Sequence, residues 1–175
     1  MRGAPAGRRT TVTAGGGKLR VLVLGDSHGL LDFALQAVKE AGKVDFLLHT
    51  GDHYRDGVQL AAATGLPAKC VTGNCDAGTE GPDEEVVELE GRRLFLTHGH
   101  RLGVKFSLAR LMARGRALGA EAIIYGHTHA ANLEREGGLL IFNPGSITSP
   151  RDQNSPSYGI IEIVGRHLIP YLFRL

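Results

Sequence analysis

Leu19-Arg20-Val21-Leu22-Val23-Leu24 is a short run, apolar but for Arg20, that ends on Gly25. A run of this length without strict alternation suits a strand buried on both faces, and it opens the folded part of the chain. Leu31, Ala34, Leu35 and Val38 then recur at helical spacing ahead of Gly42, which predicts a helix over 31–41. Residues 44–50 repeat the strand device and close on Gly51-Asp52. A second helix is predicted over 58–64, stopped by Gly65 and Pro67, and a third strand over 68–72, closing on Gly73-Asn74.

Beyond an acidic stretch, 86–89 and 92–97 flank Glu90-Gly91 and predict a hairpin. Phe106, Leu108, Leu111, Met112 and Leu118 form a helical stripe over 106–118 whose expected use is core packing. Residues 122–125 read as a strand closing on Gly126-His127. From Asn132 onward several strands are expected, with turns at Gly137-Gly138, Pro144-Gly145 and Gly165. Strand-helix units come first and β-rich structure last, a mixed α/β domain without internal repeats.

The polar residues gather where these strands run out. Gly25-Asp26-Ser27-His28, Gly51-Asp52, Gly73-Asn74, His98-Gly99-His100 and Gly126-His127-Thr128-His129 each put ligand-type side chains at a predicted strand end. In open α/β sheets that edge binds ligands, because loops converge at the carboxyl ends of parallel strands. The i, i+2 spacing of Asp26 with His28, and of His127 with His129, turns each pair to one side of an extended segment and so toward one ion. The preceding glycines permit tight turns and close backbone approach. Two carboxylates, one amide oxygen and four imidazoles exceed what one four-coordinate ion takes, and match two ions sharing a carboxylate. Nitrogen and oxygen donors without thiolate suit Mn, Fe, Zn, Ni or Co and leave the choice among them open. His49 and His167, off this edge, read as structural, and Ser27 and Ser146 as supports of their turns.

Composition narrows the class. The chain has 175 residues, 42% apolar and 22% charged, which fits one compact domain and excludes a disordered chain. No apolar run approaches the roughly 18 residues of a membrane span. The formal charge of +2 hides a split: residues 1–20 carry Arg2, Arg8, Arg9, Lys18 and Arg20 without an acid, leaving 15 basic against 18 acidic residues beyond them. An acidic body has no general electrostatic footprint for duplex nucleic acid, so no stable nucleic-acid binding is expected. Cys70 and Cys75 are too few and too close for a secreted disulfide framework, which points to a reducing, cytoplasmic compartment. Residues 1–18 are charged, lack an apolar segment and contain Gly15-Gly16-Gly17. They read as a disordered basic tail ahead of one domain over 19–175.

The ordered set D-x-H, G-D, G-N, H-G-H and G-H-T-H is similar to that of the calcineurin-like metallophosphoesterase superfamily. Gly73-Asn74-Cys75-Asp76 and Asn143-Pro144-Gly145-Ser146 resemble its small single-domain phosphodiesterase branch. The resemblance covers 19–175 and implies a four-layer α/β/β/α sandwich of two mixed sheets flanked by helices. It implies two divalent metal ions, Mn foremost: Asp26, His28 and His129 hold one, Asn74, His98 and His127 the other, and Asp52 bridges. All seven positions are filled, which separates this chain from the related retromer-subunit scaffold, where part of the ligand set is lost. Many members carry His after the G-N asparagine as proton donor to the leaving group, and here that position is Cys75. A thiol with its usual pKa of about 8.5 is a poor general acid, so protonation falls to water, Asp76 or His100.

The implied reaction is hydrolysis of a phosphodiester by water activated between two metals, with Asp52, Asn74, His100 and Asp76 as catalytic candidates. Asn74, Cys75, His100 and Arg151 are the substrate-binding candidates, Arg101 is a weaker one, and His53, Tyr54 and Asp56 complete the rim. A domain of this size leaves no room for a large cap, so the cleft should be open and the substrate a small phosphodiester, a monoester remaining an alternative. Relatives of the branch are often dimers or tetramers, which keeps a homo-oligomer within the expectation. A protein-binding scaffold that retains the site and a nuclease are the competing classes.

Overall fold

Strand residues that look uniformly apolar in the sequence are sorted by the pleat into two cores. In β2 (Lys18–Leu24), Leu19, Val21 and Val23 face one cluster, while Leu22 and Leu24 face another. The computed structural model describes residues 10–12, 17–152 and 154–175. Along them follow β1 (Thr10–Val12), β2, α1 (Leu31–Ala41), β3 (Phe46–His49), α2 (Tyr54–Thr64), β4 (Ala68–Cys70), β5 (Glu84–Leu89) and β6 (Arg92–Thr97). After a short 3-10 turn at His100–Leu102 come α3 (Ala109–Ala117), β7 (Ala122–Ile124), β8 (Ala131–Glu136), β9 (Leu139–Pro144), β10 (Ser157–Val164) and β11 (His167–Arg174).

One sheet has the order β11-β10-β2-β3-β4 and the other β1-β5-β6-β7-β9-β8. Val21, Val23, Phe46 and Leu48 of the first meet Leu94, Leu96, Ile124 and Phe142 of the second in the layer between the sheets. Leu22, Leu24, Leu47 and Ile160 face outward against Ala34, Ala37 and Leu60 of α1 and α2. Phe95, Ile123 and Ile141 face Leu111 and Met112 of α3. The result is the expected four-layer α/β/β/α arrangement, in which each fully buried Leu or Phe contributes about 1.5–3 kcal/mol. Strands β2, β3 and β4 run parallel, as do β6, β7 and β9, so their carboxyl ends gather at one pole.

Three differences from the sequence reading have local causes. Helix α2 begins at Tyr54, not 58, because His53 takes a left-handed φ of 70° and turns the Asp52 loop straight into the helix. Helix α3 begins at Ala109, not 106: Gly103 ends the preceding turn with φ 68°, and Ser107 Oγ accepts the Ala109 N–H at 3.1 Å. Phe106 therefore sits on the connecting loop, 95% exposed, outside the core stripe assigned to it. Within the expected tail, Thr10–Val12 lies parallel to Val87–Leu89 as the edge strand β1. The remainder of that tail, apart from Gly17 and Lys18, lies outside the described residues.

Candidate metal centre

Segments leaving β2, β3, β4, β6 and β7 meet at this pole. Asp26, His28, Asp52 and His129 bring one ligand atom each to within 4.8 Å of one another, and Asp52, His98 and His127 do the same. Asp52 belongs to both groups. His129 Nε2 is 3.4 Å from Asp26 Oδ1 and 3.4 Å from His28 Nε2. His98 Nε2 is 3.4 Å from Asp52 Oδ1, 3.1 Å from Asn74 Oδ1 and 3.1 Å from His127 Nδ1. All seven candidate ligands thus converge.

Spacing alone misdirects one pair. Asp26 and His28 enter the same cluster, but His127 and His129 enter different ones. The segments are not extended: Asp26, His28, Asp52, His127 and His129 all take positive φ, between 47° and 70°. Outside an extended segment the i, i+2 spacing no longer fixes a shared face, so Asp26 and His28 converge on one cluster while His127 and His129 part. Such backbone is costly for non-glycine residues, and it concentrates where a site over-determines the conformation.

The donor chemistry fits cations. His98 Nδ1 lies 2.8 Å from Thr50 O and His129 Nδ1 lies 2.9 Å from Ser149 O. A carbonyl only accepts, so each Nδ1 carries the hydrogen and each Nε2 turns a lone pair into its cluster. Burial lowers the pKa of His98 and His127 to about 4, keeping both neutral and ligand-competent at neutral pH. Burial and then the Asp52 charge push the Asp26 carboxyl well above its usual range. Both Asp26 oxygens are buried and have no hydrogen-bond partner, a costly state that bound cations would relieve.

Behind the ligands the loops are cross-braced. Ser27 Oγ donates to Asp56 Oδ2 at 2.7 Å, which also accepts the Gly29 N–H, and His49 Nε2 lies 3.0 Å from Ser27 Oγ. Asp56 is therefore buried behind the first ligand loop and not a rim residue as expected. Ser146 Oγ donates to Asp26 O and accepts the N–H groups of Thr148 and Ser149, the turn support expected of it. Glycine at 73 is required by close approach, since a Cβ there would run into the Asp52 carboxylate.

The rim divides into anchored and free groups. Cys75 N–H donates to Asp52 Oδ1 at 2.9 Å, and burial and the Asp52 charge push its thiol up. Asp76 accepts the N–H of Tyr54 and of Gly73, both at 2.8 Å, so it braces the loop. Arg101 is ion-paired with Asp83 at 2.7 Å. Arg151 is exposed and forms no ion pair among the described residues, and its charge, like that of Lys105, acts on Asp26. Lys105 was not among the sequence candidates, because it lies seven residues past His98, just ahead of the predicted helix and outside every strand-end motif. Asn74, His100, Asp76 and Arg101 line a polar cavity of about 490 Å³ beside the clusters.

Known proteins share both fold and pattern. Residues 19–166 match the model of the calcineurin-like phosphoesterase superfamily domain. A probable metallophosphoesterase of Bacillus subtilis, YsnB, is 36% identical over 147 residues, 83% of this chain and 85% of the relative. The phosphodiesterase YfcE of Escherichia coli is 31% identical over 170 residues, 82% of this chain and 88% of the relative. Among solved structures, a single mutant of Vps29 from Entamoeba histolytica superposes with a TM-score of 0.76 at 26% identity, covering 88% of this chain and 91% of its own. With the superfamily model spanning most of its length, the chain belongs to the calcineurin-like phosphoesterase superfamily.

Proposed function

We propose that this chain is a phosphodiesterase working through two divalent ions, one held by Asp26, His28 and His129 and one by Asn74, His98 and His127, with Asp52 shared. The observation that carries this reading is the membership of Asp52 in both ligand groups. The ions, with Mn the first candidate, would supply Lewis acidity and an activated water when bound. Thr50 and Ser149 fix the imidazoles of His98 and His129 through their carbonyls, so the ligand set is organised in advance. Lys105 and Arg151 place positive charge beside the first cluster, where phosphoryl oxygens of a substrate would lie. His100, on the cavity beside Asn74, is placed to protonate a departing alkoxide, a role less suited to Asp76, whose carboxylate is committed to backbone N–H groups.

A diester is favoured over a monoester by the relative named a phosphodiesterase and by an open, uncapped pole. The free thiols of Cys70 and Cys75 suit a cytoplasmic setting, and no helix of the described residues is long and apolar enough to cross a membrane. The test is metal analysis of the purified protein together with hydrolysis of an aryl phosphodiester and the matching monoester, with and without added Mn. Two metals per chain and metal-dependent diester turnover are expected. No metal after reconstitution would sink the site. Two metals without turnover on either ester would favour a scaffold, the second reading, which the likeness to Vps29 supports.

A further inference from the structure

At the pole opposite the metal centre, the end of α3, the β8–β9 turn and the β10–β11 turn surround a cavity of about 570 Å³. The placement follows from topology. Residues 119–121 lead into β7 and Gly137-Gly138 lead into β9, so both mark the amino ends of parallel strands whose carboxyl ends point to the pole of the metal centre. β10 runs antiparallel to β2, which brings its far end and Arg166 to this same pole.

The charges around this cavity do not balance. Arg116, Arg135, Arg166 and His167 line it, with Glu121 as the acidic residue among the lining groups. Glu121 is already committed: its Oε1 accepts from Arg92 at 2.7 Å and its Oε2 accepts the Arg93 N–H at 3.1 Å. Arg116 is paired with Glu136 at 2.7 Å. Arg135 donates to the carbonyl of Leu168, a neutral group, and has no carboxylate partner among the described residues. Arg166 and His167 form no side-chain hydrogen bond or ion pair among the described residues. Two guanidinium groups from separate elements therefore face one cavity without a counter-charge, beside an imidazole.

We propose that this cavity is a binding site for a small oligophosphate anion. Guanidinium forks recognise phosphoryl oxygens in pairs of parallel hydrogen bonds, and two forks on different elements match an anion that carries charge on more than one phosphorus. The volume exceeds that needed for one phosphate and lies in the range of small-molecule sites. The rest of the lining is small or aliphatic, with Ala120, Leu139 and Leu168 and no Phe, Tyr or Trp, so the phosphate chain is what the guanidinium groups read. The site is independent of the hydrolytic reading, since none of its residues belongs to the metal centre.

The test uses the full chain stripped of metal, so that phosphate does not bind through ions at the other pole. Titration calorimetry with tripolyphosphate is expected to give one saturable site whose affinity falls with added salt. Arg166→Glu, on an exposed turn, is expected to weaken binding about tenfold or more, and the His167 ring signals in NMR spectra should move as the site fills. Arg135→Gln should weaken it similarly. Adenosine triphosphate is the second ligand: equal affinity means the phosphate chain alone is read, tighter binding means a nucleotide is preferred, and both support the site. Absence of saturable binding, or affinity unchanged in Arg166→Glu, overturns the proposal. So does binding abolished by Arg151→Glu and kept in Arg166→Glu, which would place the anion at the metal pole.

Discussion

Ser27 Oγ lies 2.7 Å from Asp56 Oδ2, and this contact ties the first ligand loop to helix α2. The serine has one hydrogen and an ionised carboxylate only accepts, so that hydrogen goes to Asp56. His49 Nε2, at 3.0 Å, must then be the donor to Ser27, which leaves His49 Nδ1 to accept the Gly51 N–H at 3.2 Å. The chain of bonds spans from Asp26-Ser27-His28 to Gly51-Asp52, the two segments that carry three candidate ligands.

Removing the middle of that chain should loosen the site without emptying it. Ser27→Ala is expected to weaken Mn binding by about 10–100-fold, the range for groups that orient ligands without touching the metal. Asp56→Asn can keep an oxygen facing Ser27 and Gly29, so its loss should be smaller. Titration calorimetry on both variants checks the order. Equal affinity for Ser27→Ala and the parent chain would reduce the network to a folding device.

Asp52→Asn addresses the shared position. The amide keeps the shape but loses one anionic oxygen, and Asp52 faces His98 and His28 with different oxygens, Oδ1 and Oδ2. The expected outcome is fewer than two metals per chain by elemental analysis, with diester turnover down on the order of a hundredfold or more. Two retained metals with full activity would remove the bridging role.

What the sequence makes legible is where strands end and which polar residues stand there. Glycine followed by Asp, Asn or His marks both a close backbone approach and a donor, as Gly73 beside Asp52 illustrates. The sequence does not make legible how left-handed backbone at His127 and His129 divides them between clusters, because spacing arguments assume regular dihedrals. Asp56 and Lys105 escape for another reason. Their roles depend on which distant segment they meet, the Ser27 loop for one and the Asp26 carboxylate for the other. Phe106 shows the converse error, since helical spacing continues one turn beyond the point where Gly103 bends the chain out of register.

His100 makes a prediction about leaving groups. Its Nδ1 is buried without a partner, its ring centroid lies 5.4 Å from that of His98, and it lines the cavity beside Asn74. Burial, and then the charge of Arg101, lowers its pKa, so the acid form is a minority at neutral pH. If it donates the proton, His100→Asn should slow an alkyl phosphodiester by about a hundredfold or more. An aryl diester with a good leaving group should slow far less. Turnover of the alkyl diester by the parent chain should also rise as pH falls below 7, until metal binding fails. Equal slowing of both esters would assign His100 to substrate binding.

Acid should destabilise the metal-free protein between pH 7 and pH 5. Burial holds His49, His98 and His127 at pKa values of about 4 in the folded state, against about 6.5 in an unfolded chain. Between those values the unfolded state binds more protons, so stability rises with pH and is lost on acidification. Asp26 has the opposite sign: burial raises its folded pKa, so its protonation favours the folded state as pH falls. Three imidazoles against one carboxyl leave destabilisation ahead. His49 and His98 have no exposed surface and should each cost about 2 kcal/mol at pH 5, while the partly exposed His127 adds less. Urea unfolding of the metal-free chain should therefore show a lower midpoint at pH 5 than at pH 7. A midpoint that holds or rises would mean that the Asp26 proton outweighs the buried imidazoles, and that the carboxyl is the dominant acid-labile group of the empty site.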